Sequence, residues 1–190
     1  YWWIKACQSQ KVTIDLAEHY QKMSYRNRFY LAAPDGKVLM SLHLEKGRNQ
    51  RMPMSAVKLS DDSNWQSNQW KTMVSLYNRS PFFEYFEHYF KPLFETSFES
   101  LHDFNIAGIQ LINKLLKLGL TIETTDVFVK DYPAEITDLR NSMKPQQDTE
   151  EMKSIVYYQV FEDRTGFQPN CSILDLLFCE GMVARDILMI

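Results

Sequence analysis

Cysteine is scarce in this chain: Cys7, Cys171 and Cys179 are the three among 190 residues, and no two are spaced as a pair. An odd, scattered set excludes a disulfide framework and makes a reducing cytoplasm the expected compartment. No Cys-x-x-Cys or His-x-x-x-His spacing suggests zinc, and His19, His43, His88 and His102 are dispersed. Neither a metal nor a cofactor is therefore expected. A basic surplus is also missing. The net charge is −3, so general nucleic-acid binding is not expected. The apolar runs fall well short of the ~20 residues a membrane span needs, and no secretory signal is visible. A phosphate-binding loop, a dinucleotide fingerprint and a serine elbow are all absent, which disfavours the common nucleotide-binding and hydrolase classes. The chain opens on Tyr1-Trp2-Trp3 without an initiator Met, and its natural start is expected upstream.

What is present is a composition suited to a packed core. Hydrophobic residues make up 45% and charged residues 24%, with 12 Phe, 10 Tyr and 4 Trp. At this length one domain over residues 1–190 is expected. Its class is read as α/β: a small sheet with an early β-hairpin, covered by several helices. Residues 1–10 read as a helix and 12–15 as a strand. The hairpin is predicted over 28–44, turning at Pro34-Asp35-Gly36-Lys37. A polar loop follows over 46–54, then a short strand over 56–59. Helices are predicted over 65–77, from Ser80-Pro81 onward, and from Asp103 or Asn105 to a C-cap at Gly119. Strands are predicted over 120–122 and 155–161, with a polar loop over 130–152 between them. A turn at Arg164-Thr165-Gly166 precedes a last helix from Ser172, ended by Gly181. Helical spacing marks Phe82, Phe86, Phe90, Leu111, Leu115, Leu174, Leu177 and Phe178 as core.

The run Glu18-His19-Tyr20-Gln21-Lys22-Met23-Ser24-Tyr25-Arg26-Asn27-Arg28 carries three cations and no apolar block. As a strand it would put Lys22, Ser24, Arg26 and Arg28 on one face. Cations so aligned repel one another unless something negative lies among them. Two readings follow: an anion site, or ion pairs with carboxylates such as Asp15, Glu18, Asp163 or Asp175. A helical run would align Lys22 with Arg26 but not Arg28. Ser80 reads as a helix cap rather than a nucleophile, and Ser172-Ile173-Leu174-Asp175 as a capping box. Asn170 fits a turn or a polar pocket. Gln159, inside Tyr157-Tyr158-Gln159-Val160-Phe161, needs buried partners, and the adjacent Tyr hydroxyls are candidates.

Three stretches resemble the WbqC-like protein family. They are Tyr20-Gln21-Lys22-x-Ser24-Tyr25-Arg26-Asn27-Arg28, Tyr77-x-x-Ser80-Pro81-Phe82-Phe83-x-Tyr85-Phe86, and the block from Tyr157 to Gly181 containing Gly166-Phe167-x-Pro169-Asn170-x-Ser172. The resemblance implies a cytoplasmic acyl or aminoacyl transferase acting on an aminosugar in surface-polysaccharide (O-antigen) assembly. The alternative is a non-catalytic accessory protein that binds an anion or a sugar nucleotide. Either way, the implied partner is an anionic small molecule such as a nucleotide-linked or lipid-linked sugar. Lys22, Arg26 and Arg28 would hold its diphosphate or carboxylate, while Gln159 and Asn170 would orient an amide or hydroxyls. No residue declares itself as the base, and His19 is the candidate considered. Gln69 stands where the family pattern suggests His. Cys171 and Cys179 stand where it usually has other residues, which argues against a shared catalytic thiol.

Overall fold

Helix α1 (Trp2–Ser9) turns its Ile4, Ala6 and Cys7 side into the core, and its C-cap Gln10 adopts a left-handed backbone. The chain then enters β1 (Lys11–Asp15), whose alternating burial follows the period of a strand with one covered face. In this computed structural model, residues 1–45, 52–62, 64–145 and 155–189 are described. Strands β2 (Arg28–Ala33) and β3 (Gly36–Ser41) form the expected hairpin, in register from Arg28 opposite Ser41 to Ala33 opposite Gly36. Gly36, at φ 115°, supplies the backbone the tight turn requires.

Residues 46–51 of the expected polar loop lie outside the described residues. The strand expected over 56–59 is instead a 3₁₀ turn, Met54–Ala56, followed by isolated bridges from Leu59 to Leu44 and Lys58 to Ser100. Helix α2 (Asn64–Tyr77) follows, with the Asn64 amide donating to Asp62 Oδ1. Ser80-Pro81 does not start the next helix. The Ser80 hydroxyl turns back to donate to the Tyr77 carbonyl, and α3 (Phe83–Glu95) begins two residues later. Phe82 therefore falls before the helix. It is 38% exposed rather than core, and its ring lies against Gly181. Helix α4 (Leu101–Leu115) starts earlier than expected because Ser100 caps it, accepting from the Asp103 amide. It ends before Lys117, whose left-handed backbone precedes that of Gly119. Strand β4 (Thr121–Thr125) returns parallel to β1.

Residues 126–145 carry no helix or strand, and 146–154 lie outside the described residues. The strand expected over 155–161 does not form. Its amides turn to side chains, Tyr158 N to Glu180 Oε1 and Gln159 N to Glu162 Oε2, instead of a ladder. The expected turn at 164–166 closes a short helix, α5 (Glu162–Thr165). Helix α6 (Ile173–Glu180) ends at Gly181, where φ is 61° and a Cβ would meet the Phe82 ring at 2.7 Å. A further 3₁₀ turn leads to α7 (Ala184–Leu188), which packs on α1.

The small sheet of this α/β fold is thus two strand pairs, β1–β4 and β2–β3, with helices packed around them. Phe178 is fully buried among the rings of Tyr77, Phe83 and Phe90, with centroids 5.0–5.7 Å away. Phe86, Phe90, Leu174 and Leu177 are buried as expected, and Leu111 and Leu115 pack against this core from its edge.

Candidate functional site

The cationic run is neither strand nor helix. Residues 21–27 pass through turns, with Met23 in the left-handed region, before β2 begins at Arg28. The turns break the common face that an extended chain would have given the three cations. Each has its own setting. The Arg26 guanidinium grips Glu18 with two bonds, Nε to Oε1 at 2.8 Å and Nη2 to Oε2 at 2.5 Å. Its Nη2 also donates to the Arg140 carbonyl at 2.9 Å. Lys22 is exposed. Arg28 has a buried Nε without a hydrogen-bond partner, and no ion pair engages its guanidinium among the described residues.

Beside the Arg26 pair lies a second one built from distant chain. Arg140 Nη1 meets Asp15 Oδ2 at 3.0 Å, while its Nη2 meets Asp138 Oδ2 at 2.6 Å. Asp15 is oriented by its own chain, since Oδ1 accepts from the Ala17 and Glu18 amides at 2.9 Å. Hydrogen bonding from Arg140 holds the Asp138 carboxyl below its ordinary range. Arg26 and Arg140 are therefore satisfied by carboxylates, whereas no described carboxylate meets Arg28.

These groups line a cavity of about 1010 Å³. Trp2 and Trp3 of α1 and Ile106, Ile109 and His102 of α4 form part of its wall. Arg28 and Tyr30, two residues apart on β2, lie on the same side of the strand and also contribute. The C-terminal block joins there. The Ser172 amide donates to the Tyr30 carbonyl at 2.7 Å, and Asn170 Nδ2 donates to the Tyr25 hydroxyl at 3.0 Å. Residues 170–174 thus stand in the same wall as Arg26 and Arg28. The combination of a guanidinium without a carboxylate among the described residues, hydroxyls, an amide and apolar walls suits an anion with a sizeable organic body.

Gln159 belongs to a neighbouring but separate cluster. Asp175 is fully buried and accepts from Tyr77 Oη at 2.6 Å, Tyr157 Oη at 2.6 Å and Gln159 Nε2 at 2.7 Å. Gln159 Nε2 also donates to the Tyr157 hydroxyl at 3.3 Å, one of the partners expected from sequence, and to the residue 168 carbonyl, while Oε1 accepts from the residue 168 amide. Ser172 does cap α6 through the Leu174 amide, but the Asp175 side chain faces the core instead of completing a capping box. Burial raises the Asp175 carboxyl, against the pull of four neutral donors, the fourth being the Ala32 backbone amide. It likewise raises the Tyr77 and Tyr157 hydroxyls and pushes up the Cys179 thiol, which is thereby kept from the thiolate form.

Of the residues proposed from sequence, Arg26, Arg28 and Asn170 come together at the cavity, while His19, Lys22 and Gln159 do not line it. His19 is exposed and bridges to Pro53, so it brings no base to that wall. Gln69 is buried and donates to the Ser41 carbonyl, with its Oε1 unbonded among the described residues. Sequence reasoning missed Arg140 and His102. His102 Nε2 lies 3.4 Å from Ser100 Oγ and 3.5 Å from Asp103 Oδ1, and its Nδ1 is buried without a partner among the described residues. The Asp138-Leu139-Arg140 triplet was the available signal for Arg140, while His102 had none in its immediate sequence.

Among the described residues no cluster of His, Cys, Asp and Glu could hold a metal ion, and no helix is long and apolar enough to cross a membrane. A family model described as the WbqC-like protein family matches residues 4–147. No curated protein and no solved structure matches the chain.

Proposed function

The chain belongs to the WbqC-like protein family, and on that premise we propose that it binds an anionic sugar derivative in the cavity. The binding role fits an accessory protein of surface-polysaccharide assembly in the cytoplasm, with a nucleotide-linked or lipid-linked sugar as the ligand. The observation that carries this reading is Arg28. Its guanidinium stands in the wall of a cavity of about 1010 Å³ with no carboxylate on it among the described residues, while the neighbouring Arg26 is matched to Glu18. A cation left in such a position favours an anion that arrives with the ligand. Tyr25, Tyr30 and Asn170 in the same wall offer polar contacts for a sugar. The test is titration calorimetry of the purified protein with a panel of nucleotide-linked aminosugars. Wild type is expected to bind one of them, more weakly as salt rises, and Arg28→Gln is expected to lose about tenfold or more in affinity. Equal binding by Arg28→Gln would remove the basis of the reading.

A second reading, transfer of an acyl or aminoacyl group to the amine of that sugar, draws on His102. It lines the same cavity with Nδ1 unbonded among the described residues. The amine nitrogen would form a bond to the carbonyl carbon of an activated acyl donor as the bond to the leaving group breaks. The ammonium proton would pass to His102. Acyl transfer by wild type, lost in His102→Asn with ligand affinity unchanged, is the expected signature. Binding without transfer leaves the accessory role.

A further inference from the structure

Residues 126–145 hold their place by an unusual means. They run on from β4 without a helix or strand, and they line the cavity with Tyr132, Ile136, Leu139 and Met143. Among the described residues, none of their apolar side chains belongs to the hydrophobic core or packs against it. Val127, Phe128 and Ile136 are 63%, 54% and 50% exposed. A segment with neither a backbone ladder nor core burial sits at the low end of local stability unless another interaction holds it.

That interaction is centred on one side chain. Arg140 gathers its own segment by donating to the Val129 carbonyl at 2.8 Å, the Lys130 carbonyl at 3.1 Å and both oxygens of Asp138. Its guanidinium also stacks over the rings of Tyr132 and Phe128, at 4.8 and 5.3 Å. The same guanidinium then reaches out of the segment to Asp15, and the Arg140 carbonyl receives Arg26. Among the described residues, the only other hydrogen bond from 126–145 to the chain outside β4 joins Gln21 to Asn141 at the surface. The socket is formed in advance, because the Ala17 and Glu18 amides already fix Asp15.

We propose that residues 126–145 are a strap across the cavity and that Arg140 is the latch holding it shut. Ligand would enter when the Arg140–Asp15 contact parts. A charged latch suits reversible opening: both halves hydrate well once apart, whereas a strap held by buried apolar side chains would expose them to water. The role as gate rests on the cavity being the ligand site, but the latch itself can be tested without any ligand.

Cys171 lines the cavity, whereas Cys7 and Cys179 are buried in the core. The rate of N-ethylmaleimide labelling at each cysteine, read by mass spectrometry on the full chain, reports strap and core separately. In Arg140→Ala, labelling of Cys171 is expected to rise about tenfold or more, with Cys7 and Cys179 as slow as in wild type. Asp15→Asn, which weakens the same contact from the other side, is expected to give a smaller rise. Unchanged labelling of Cys171 in both variants overturns the proposal. So does simultaneous labelling of all three cysteines in both, which would make the pair a support of the whole fold. A loss of ligand binding in Arg28→Gln alters neither result, so the two readings fail separately.

Discussion

The molecule holds two polar clusters, and they answer their carboxylates in opposite ways. Around the cavity, carboxylates are answered by guanidinium groups: Glu18 by Arg26, and Asp15 and Asp138 by Arg140. In the core, the donors to Asp175 among the described residues are all neutral: two phenols, the Gln159 side-chain amide and the Ala32 backbone amide. The first cluster joins loops and the end of the β1–β4 strand pair, segments with little core burial of their own. The second ties α2, α6 and the segment around Tyr157 and Gln159 into the core. Ion pairs that can part and hydrate suit segments that move. A carboxylate surrounded by fixed dipoles suits a place where nothing can move without orphaning several donors at once.

The sharpest way to break this contrast is Asp175→Ala. It strands two phenolic hydroxyls and the Gln159 amide in the core, and it is expected to cost about 3–5 kcal/mol in denaturant unfolding. A cost below 1 kcal/mol would mean that water or a rearranged side chain replaces the carboxylate, and the cluster would not be a core support. Glu18→Ala, in the other cluster, leaves Arg26 able to turn into the cavity. The expected cost is about 1–2 kcal/mol.

A finer separation is the sign of the pH response. Burial raises the Asp175 carboxyl above its ordinary value of 3.8. The folded state therefore binds that proton more tightly than the unfolded chain. This group's contribution improves as pH falls from its raised folded value towards 3.8, and it is least favourable above that window. Asp138 is held below its ordinary 3.8, chiefly by hydrogen bonding to Arg140. Its contribution is present above that value and is lost as pH falls through the lowered one. Stability curves against pH for wild type and Asp138→Asn should therefore converge in acid and differ by about 1 kcal/mol or less near neutrality, given how exposed Asp138 is. Curves that diverge as pH falls would reverse the assignment.

The legible parts of this molecule are those whose cause lies within a few residues. The β2–β3 hairpin follows from the Asp35-Gly36 turn between β-rich runs, α2 from its apolar spacing, and the end of α6 from Gly181. The site was legible only as residue types. Arg26 was readable as half of an ion pair with Glu18, eight residues away. The Arg140 carbonyl that completes its setting lies 114 residues away, and Asp15 meets Arg140 across 125. Local chemistry also misled in three places. Ser172-Ile173-Leu174-Asp175 has the letters of a capping box, yet the Tyr77 donor that claims Asp175 comes from 98 residues away. The run ending at Phe161 has strand-like residues, but its amides find carboxylates before they find a neighbouring strand. Ser80-Pro81 has the chemistry of a helix start, but the Ser80 hydroxyl is drawn back to Tyr77.

The smallest expected change in stability belongs to the residue on which binding most depends. Arg28 shares the cavity wall with Arg26, but no carboxylate answers it and its Nε is orphaned among the described residues. Removing a cation that no described residue pairs relieves a desolvation cost instead of breaking a pair. Arg28→Met keeps the length of the stem and should leave the unfolding free energy unchanged or raise it by up to about 1 kcal/mol, while anion binding by calorimetry is lost. This is the reverse of what Asp175→Ala should show, and it differs from Glu18→Ala, where stability falls first. If Arg28→Met instead unfolds more easily than wild type by 2 kcal/mol or more, on the scale of a broken buried pair, then Arg28 is a structural cation like its neighbours. The anion site would then have to be sought elsewhere along the cavity wall.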